Sequence, residues 1–189
     1  MRYRPATECP ATALASLCDC GSAVISCGVV SNEPAFHIVL HQPQIPQNTG
    51  SIGRTCLATG SKLWLVRPLG FRVDQSNLRR AGLDYWDELD WEAVDSWDRL
   101  DTHMAERRVW FLTKHAKRLY TNAEFEAGDT FVFGSETQGL PDSILQANAE
   151  RALRIPVRPK VRSLNLACAV AVVVYEAVRA VGAKCEPSD

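Results

Sequence analysis

The stretch 131–141, "FVFGSETQGLP", breaks a short apolar run at a glycine and continues through polar residues to a second glycine and a proline. An unbroken apolar run of this length reads as a strand buried on both faces, the habit of parallel sheets. Ligands in open α/β sheets lie beyond the carboxyl ends of the strands, so the Gly-Ser-Glu-Thr-Gln-Gly turn is a candidate ligand loop. It is not a phosphate-binding G-x-x-x-x-G-K-[ST] loop, because no lysine follows the second glycine, and it is not G-x-G-x-x-G.

On either side of this loop the chain alternates between strand and helix patterns. "FHIVL" (36–40), "KLWLV" (62–66), "RVWFLT" (108–113), "TFVFG" (130–134) and "RALRIPV" (151–157) read as strands. Asn48 or Thr49 is placed to cap a helix through "SIGRTCLATG", closed by Gly60. "QSNLRRAGL" (75–83) is helix-like and basic. The acidic, tryptophan-rich tract that follows holds a short strand and then a helix from Ser96. Another helix follows Pro141. "SLNLACAVAVVVYEAVRAVG" (163–182) is a long helix, apolar nearly all round, that ends at Gly182. This order predicts an α/β fold, a mostly parallel sheet with helices on both faces.

Composition narrows the class. With 46% hydrophobic and 23% charged residues, the 189-residue chain is that of a globular protein, not a disordered one. Its longest apolar run, Ala167–Val174, is under half of the roughly 20 residues a membrane helix needs, and no membrane partner is expected. A net charge of −1 means that nucleic-acid binding needs a local basic patch. Four of the seven cysteines (Cys9, Cys18, Cys20, Cys27) fall before residue 28 without paired C-x-x-C spacing, and the rest are scattered. That pattern is neither a disulfide framework nor a common zinc site, so no metal is expected and a reducing cytoplasm is. Residues 1–33 read as a disordered extension, 34–184 as the folded domain and 185–189 as a tail. Cys56 and Cys168 read as small apolar fillers on buried helix faces.

Three loops punctuated by glycine or proline follow apolar strands: 42–54, 134–141 and 155–167. None holds a Ser-His-Asp or Cys-His set, and none has metal-ligand spacing. They offer backbone N–H groups, small residues, one carboxylate (Glu136) and the cations Arg54, Arg158, Lys160 and Arg162. Such chemistry suits a polar ligand held by backbone beside an anionic polymer.

"NTGSIGR" (48–54), "FGSETQGLP" (133–141) and "RIPVRPKVRSLNLACAVAVVVYEA" (154–177) resemble the three motifs of the SPOUT-superfamily RNA 2′-O-ribose methyltransferases. "HIVLHQPQIPQNTGSIGRTC" (37–56) and "LRRAGLDYWDEL" (78–89) are most similar to the small bacterial tRNA wobble-nucleotide (cytidine or uridine) 2′-O-methyltransferases. The resemblance runs in order from about Phe36 to about Val181 and leaves the first 33 residues outside.

It implies a deep trefoil knot in the C-terminal half, a homodimer, S-adenosylmethionine as cofactor and the tRNA anticodon stem-loop as partner. It also implies that Leu112, Gly134, Ile155 and Ser163 hold the cofactor, with glycine at 134 so that no Cβ keeps the ligand off. Arg54 takes the place of the residue that assists loss of the ribose 2′-hydroxyl proton. A free guanidinium rarely gives up its proton, so Arg54 is read as polarising the 2′-oxygen and anchoring the neighbouring phosphate. The plain alternative is a helix-surface arginine.

Asn48, Glu136, Ser163 and Asn165 match positions that shape the site. Asn48 and Ser163 double as helix N-cap candidates, Glu136 orients Arg54 or a loop amide, and Asn165 needs a polar partner at an apolar helix start. Arg79, Arg80, Lys114, Lys117, Arg118, Arg158, Lys160 and Arg162 are phosphate-contact candidates, about half of them plain solvated charges on the general record of such assignments. Tyr85 or Trp86 is a stacking platform for a base or a core residue. Tyr175 and the valines beside it read as core and dimer interface. Ala167-Cys168 replaces the usual Ser-Asn, and Lys160 makes its loop more basic than in the wobble enzymes. The competing readings are a related enzyme acting on ribosomal RNA or another tRNA position, and a non-catalytic knotted RNA-binding protein.

Overall fold

The structure, a computed structural model, describes residues 33–72 and 84–182. The predicted helix 75–83, with Arg79 and Arg80, lies outside the described residues. So do the extension up to residue 32, with its four cysteines, and the tail.

Among the described residues seven strands form one sheet: β1 (His37–His41), β2 (Lys62–Val66), β3 (Trp91–Val94), β4 (Val109–Leu112), β5 (Arg118–Leu119), β6 (Thr130–Phe133) and β7 (Ala152–Arg154). Their spatial order is β3-β2-β1-β6-β4-β7-β5 and every pairing is parallel. From β1 the chain winds one way into β2 and β3, and the later strands build out the other way from β6. The β1–β6 junction is thus the place where strand order reverses, where open sheets carry their ligand crevice. β5 was not predicted; a two-residue strand has no period to read.

Among the described residues four helices cover the sheet: α1 (Pro46–Thr59), α2 (Trp97–Met104), α3 (Asp142–Ala147) and α4 (Leu166–Val181). Strand alternation sorts them by face. Ile38, Leu40, Leu63, Leu65, Phe131 and Phe133 point to one side, where Ile52 and Cys56 of α1 and Val170, Val173, Val174 and Ala177 of α4 pack on them. Val39, Trp64, Val66, Phe111 and Val132 point to the other, covered by Leu100 and Met104 of α2 and Ile144 of α3. Both layers are nearly closed to solvent, which explains why the strands read as continuous apolar runs and not as alternating ones.

Several local expectations change in detail. α1 begins at Pro46, before the predicted caps, because proline has no N–H to leave unpaired in a first turn. Asn48 and Thr49 therefore lie inside the helix. Gly60 closes α1 in the left-handed conformation (φ 63°), as predicted. Ser163 is not a cap either; Asn165 caps α4, its side chain accepting from the N–H groups of Ala167 and Cys168. Cys56 is buried, and burial pushes its thiol up to about 12. Cys168 is exposed, not buried, because it shares the outward face of α4 with Val172 and Tyr175. Tyr175, half exposed, is likewise no core residue.

Under β1, the buried His37 accepts at Nδ1 from the indole N–H of Trp64 (3.0 Å). Indole can only donate, so neutral His37 carries its proton on Nε2, which has no partner among the described residues. Burial first, then Arg107 and Lys62, push the imidazole down to about 4, against a smaller opposing effect of Asp90. The unfolded chain takes up this proton near pH 6.5 and the folded one only near 4. The stabilisation is therefore complete above pH 6.5 and disappears as pH falls to 4. Urea unfolding at pH 7 and at pH 4 will show a loss of roughly 2–3 kcal/mol from this group. His41, also lowered by burial, adds to the slope; in His37→Gln the slope will be shallower.

Candidate functional site

The sequence of α1 leaves its own start unfinished. Its N-cap is Ile45, an apolar residue with no side-chain hydrogen bond to offer. Glu136, 91 residues further on in the loop after β6, takes the amides of the cap residue and of the residue before it. Gln44 N–H donates to Glu136 Oε2 (2.9 Å) and Ile45 N–H to Oε1 (3.1 Å). Asn48 Nδ2 donates to the same Oε1 (3.0 Å). A carboxylate at a helix start also opposes the positive end of the helix dipole. This contact lies across the β1–β6 junction.

From Asn48 the network continues into the third loop. Asn165 Nδ2 donates to Asn48 Oδ1 (3.0 Å), and Asn165 Oδ1 accepts from Ala167 N–H (2.9 Å) and Cys168 N–H (3.3 Å). Both ends fix its polarity. Helix amides only donate, so Asn165 must turn its oxygen to α4 and its nitrogen to Asn48. Asn48 must then turn its nitrogen to a carboxylate that only accepts. Three loops far apart in sequence are thereby locked in one arrangement. Burial on its own raises the Glu136 carboxyl, but the bonds from Asn48, Gln44 and Ile45 together outweigh it and hold it below the usual range.

The loop 134–141 closes on itself as well. Ser135 and Gly139 exchange two backbone hydrogen bonds, and Gly139 takes a positive φ of 74°. A Cβ on Gly134 would sit 2.0 Å from Gly139 C and 2.2 Å from Leu140 N. The glycine is therefore required by the chain's own backbone, a different reason from the ligand approach expected of it. Any substitution there forces the loop open before a ligand is involved. Thr137 Oγ1 adds a bond to Gln44 Oε1 (2.9 Å).

Leu112, Gly134 and Ile155 come together at the carboxyl ends of β4, β6 and β7. Leu112 pairs with Phe133 on one side and Leu153 on the other. All three are partly exposed, and the loop beyond β7 presents Val157, Val161 and Leu164 to solvent. Ser163 is exposed, with no side-chain hydrogen bond among the described residues. Arg54, exposed on α1, makes no hydrogen bond or ion pair with Glu136 and has its guanidinium over the Tyr85 ring (5.0 Å). So of the two roles foreseen for Glu136, the structure gives it the loop amides and not Arg54. Trp86 is buried, as one of its two readings had it.

Among the phosphate-contact candidates, Lys114, Lys117, Arg158, Lys160 and Arg162 are exposed on the loops after β4 and β7, neighbouring strands. Arg118 is also exposed, but it donates to Asn122 O (2.7 Å) and lies over Trp110. Sequence reasoning missed the amides of Gln44 and Ile45. An apolar residue at an N-cap position was the signal that something else must serve the helix start.

Glu136→Gln places an amide donor against incoming N–H groups. It will lower the unfolding free energy by about 1–2 kcal/mol in urea at pH 7. A cycle with Asn48→Ala will give a coupling of about 0.5 kcal/mol or more.

Known proteins resemble this chain over most of its length. A Listeria innocua protein, 48% identical over 76% of this chain and 86% of its own, bears the provisional name tRNA (cytidine(34)-2′-O)-methyltransferase. A solved structure concerned with 2′-OH methylation of C/U34 on tRNA is 44% identical, covers 77% of this chain and 95% of that one, and superposes with a TM-score of 0.71. An AdoMet-bound rRNA methyltransferase from Sinorhizobium meliloti is 25% identical over 78% of this chain and 57% of its own, with a TM-score of 0.67. The model of the SpoU rRNA methylase family matches residues 35–175, the whole span from before β1 into α4, and this chain belongs to that family.

Proposed function

We propose that this protein transfers a methyl group from S-adenosylmethionine to the ribose 2′-hydroxyl of the wobble nucleotide, position 34, in the tRNA anticodon loop. The observation that carries the reading is the lock of Glu136, Asn48 and Asn165, which joins the three motif loops at the strand-order switch. The relative and the structure concerned with position 34 support the substrate, and the AdoMet-bound relative supports the cofactor. Cytoplasmic tRNA is the expected substrate pool, and no helix among the described residues is long and apolar enough to cross a membrane.

The donor set fits the cofactor. Partly exposed apolar groups at strand ends (Leu112, Ile155) beside polar loop backbone suit a ligand with an adenine and a zwitterionic tail. Leu112, Gly134, Ile155 and Ser163 would hold it. When bound, it supplies a sulfonium-activated methyl group. The chain's own part is positional. Arg54 polarises the ribose 2′-oxygen and pairs with the adjacent phosphate, while Asn48, Glu136 and Asn165 keep the loops in register. The cations of loops 113–117 and 155–165 (Lys114, Arg158, Lys160, Arg162) engage the RNA backbone, together with Arg79 and Arg80.

Two architectural proposals go with this reading. β7 lies between β4 and β5, although residues 113–117 alone connect those two strands. Arg118 and Leu112 are both level with Leu153, so the chain leaving β7 runs past that short connection; this supports a trefoil knot. Cys168, Val172 and Tyr175, spaced along one outward stripe of α4, support a homodimer through that helix. Light scattering will give twice the 20.9 kDa chain mass, and Tyr175→Lys with Val172→Asp will return it to the monomer.

The function is tested by incubating the protein with labelled S-adenosylmethionine and unfractionated bacterial tRNA, then mapping 2′-O-methylated riboses. Methylation at position 34 is expected, reduced about 100-fold or more in Arg54→Ala while S-adenosylhomocysteine binding persists. Methylation elsewhere would favour the related enzyme. Absence of both methylation and S-adenosylhomocysteine binding would favour the non-catalytic reading.

A further inference from the structure

We infer that Tyr85 is a positioning residue that aims Arg54, an inference that rests on the role proposed for Arg54 above. The turn holding Tyr85, a single 3₁₀ turn at 84–87, is built against α1. Gly53 allows this: a Cβ there would lie 2.9 Å from the Trp86 ring and 3.0 Å from Leu89, so only glycine lets the turn sit flush on the helix. Trp86, buried beneath, is itself braced against Trp91 with ring centroids 5.4 Å apart.

On this footing Tyr85 holds Arg54 twice. Its hydroxyl donates to Gly50 O (2.5 Å). In an α-helix that carbonyl is also the acceptor for the backbone N–H of residue 54, four positions on. Its ring lies under the Arg54 guanidinium at 5.0 Å, cation against π face. Tyr85 thus fixes both the turn of helix that carries Arg54 and the direction of its side chain. Among the described residues Arg54 has no ion pair that would compete.

The test is single-turnover methyl transfer to unfractionated bacterial tRNA with labelled S-adenosylmethionine, comparing wild type, Tyr85→Leu, Tyr85→Phe, Arg54→Lys and Arg54→Lys/Tyr85→Leu. Tyr85→Leu should lower the rate at saturating tRNA about tenfold with an unchanged half-saturating tRNA concentration, and Tyr85→Phe, which keeps the ring, should stay within about threefold of wild type. In the Arg54→Lys background Tyr85→Leu should cost nothing further. A purely structural loss would instead add in that background.

An effect confined to the half-saturating tRNA concentration would overturn positioning in favour of base stacking. A full rate in Tyr85→Leu beside a slow Arg54→Lys would overturn the inference and leave the function standing. A wild-type rate in Arg54→Lys, or no transfer by wild type, would remove the role of Arg54 and the inference with it.

Discussion

The site depends on one carboxylate that serves a helix it does not belong to. α1 needs an acceptor at its start and has only Ile45 there. Glu136 accepts from the amides of Gln44 and Ile45 just ahead of the first turn, and in doing so fixes where the loop after β6 must lie relative to the loop after β1. Because Asn48 and Asn165 extend the same set of bonds to the start of α4, the third loop takes its position from the first two. No link in the series is tolerant of reversal, since each amide has one orientation that satisfies both neighbours. The geometry of the crevice therefore follows from hydrogen-bond polarity, and the apolar layers beneath set only which strands meet.

Much of the scaffold was legible in the sequence, because burial on both faces leaves a plain signature. Phe131–Phe133 and Leu63–Val66 could be read as strands because neither face meets water, and Gly60 and Gly182 marked helix ends where a left-handed residue was required. The errors fell where the signal is not periodic. Asn48 resembles an N-cap by type and place, and only the position of Pro46 shows that the helix starts earlier. Ser163 lost the capping role to Asn165 for a similar reason: two candidates lie within three residues, and propensity does not choose between them. Cys168 and Tyr175 look like core in a helix apolar nearly all round. A pattern with no polar face cannot say which side meets the sheet.

Charge is distributed in a way the net value of −1 conceals. The segment from Asp90 through β3 into α2 carries Asp90, Glu92, Asp95, Asp98 and Asp101, the first three paired with Lys62, Arg67 or Arg99, while the loops beyond β4 and β7 carry Lys114, Lys117, Arg158, Lys160 and Arg162. Lys62 is spent within the acidic side, on Asp90 and Glu92, and is no candidate for a phosphate contact.

The two halves of the site are held by forces of different strength, and the difference suits their tasks. Glu136, Asn48 and Asn165 are joined by hydrogen bonds to a charged group and to helix amides, with geometry that leaves little freedom. A surface that must present a constant shape to a small ligand gains from that rigidity. Arg54, by contrast, rests on a ring through a cation–π contact worth about 0.5–1 kcal/mol at an exposed position. Under the role proposed for Arg54, its side chain follows a ribose and a phosphate into place and cannot be bound more tightly to the protein than to its substrate. A weak platform narrows the directions the guanidinium explores and still releases it when a stronger anion arrives.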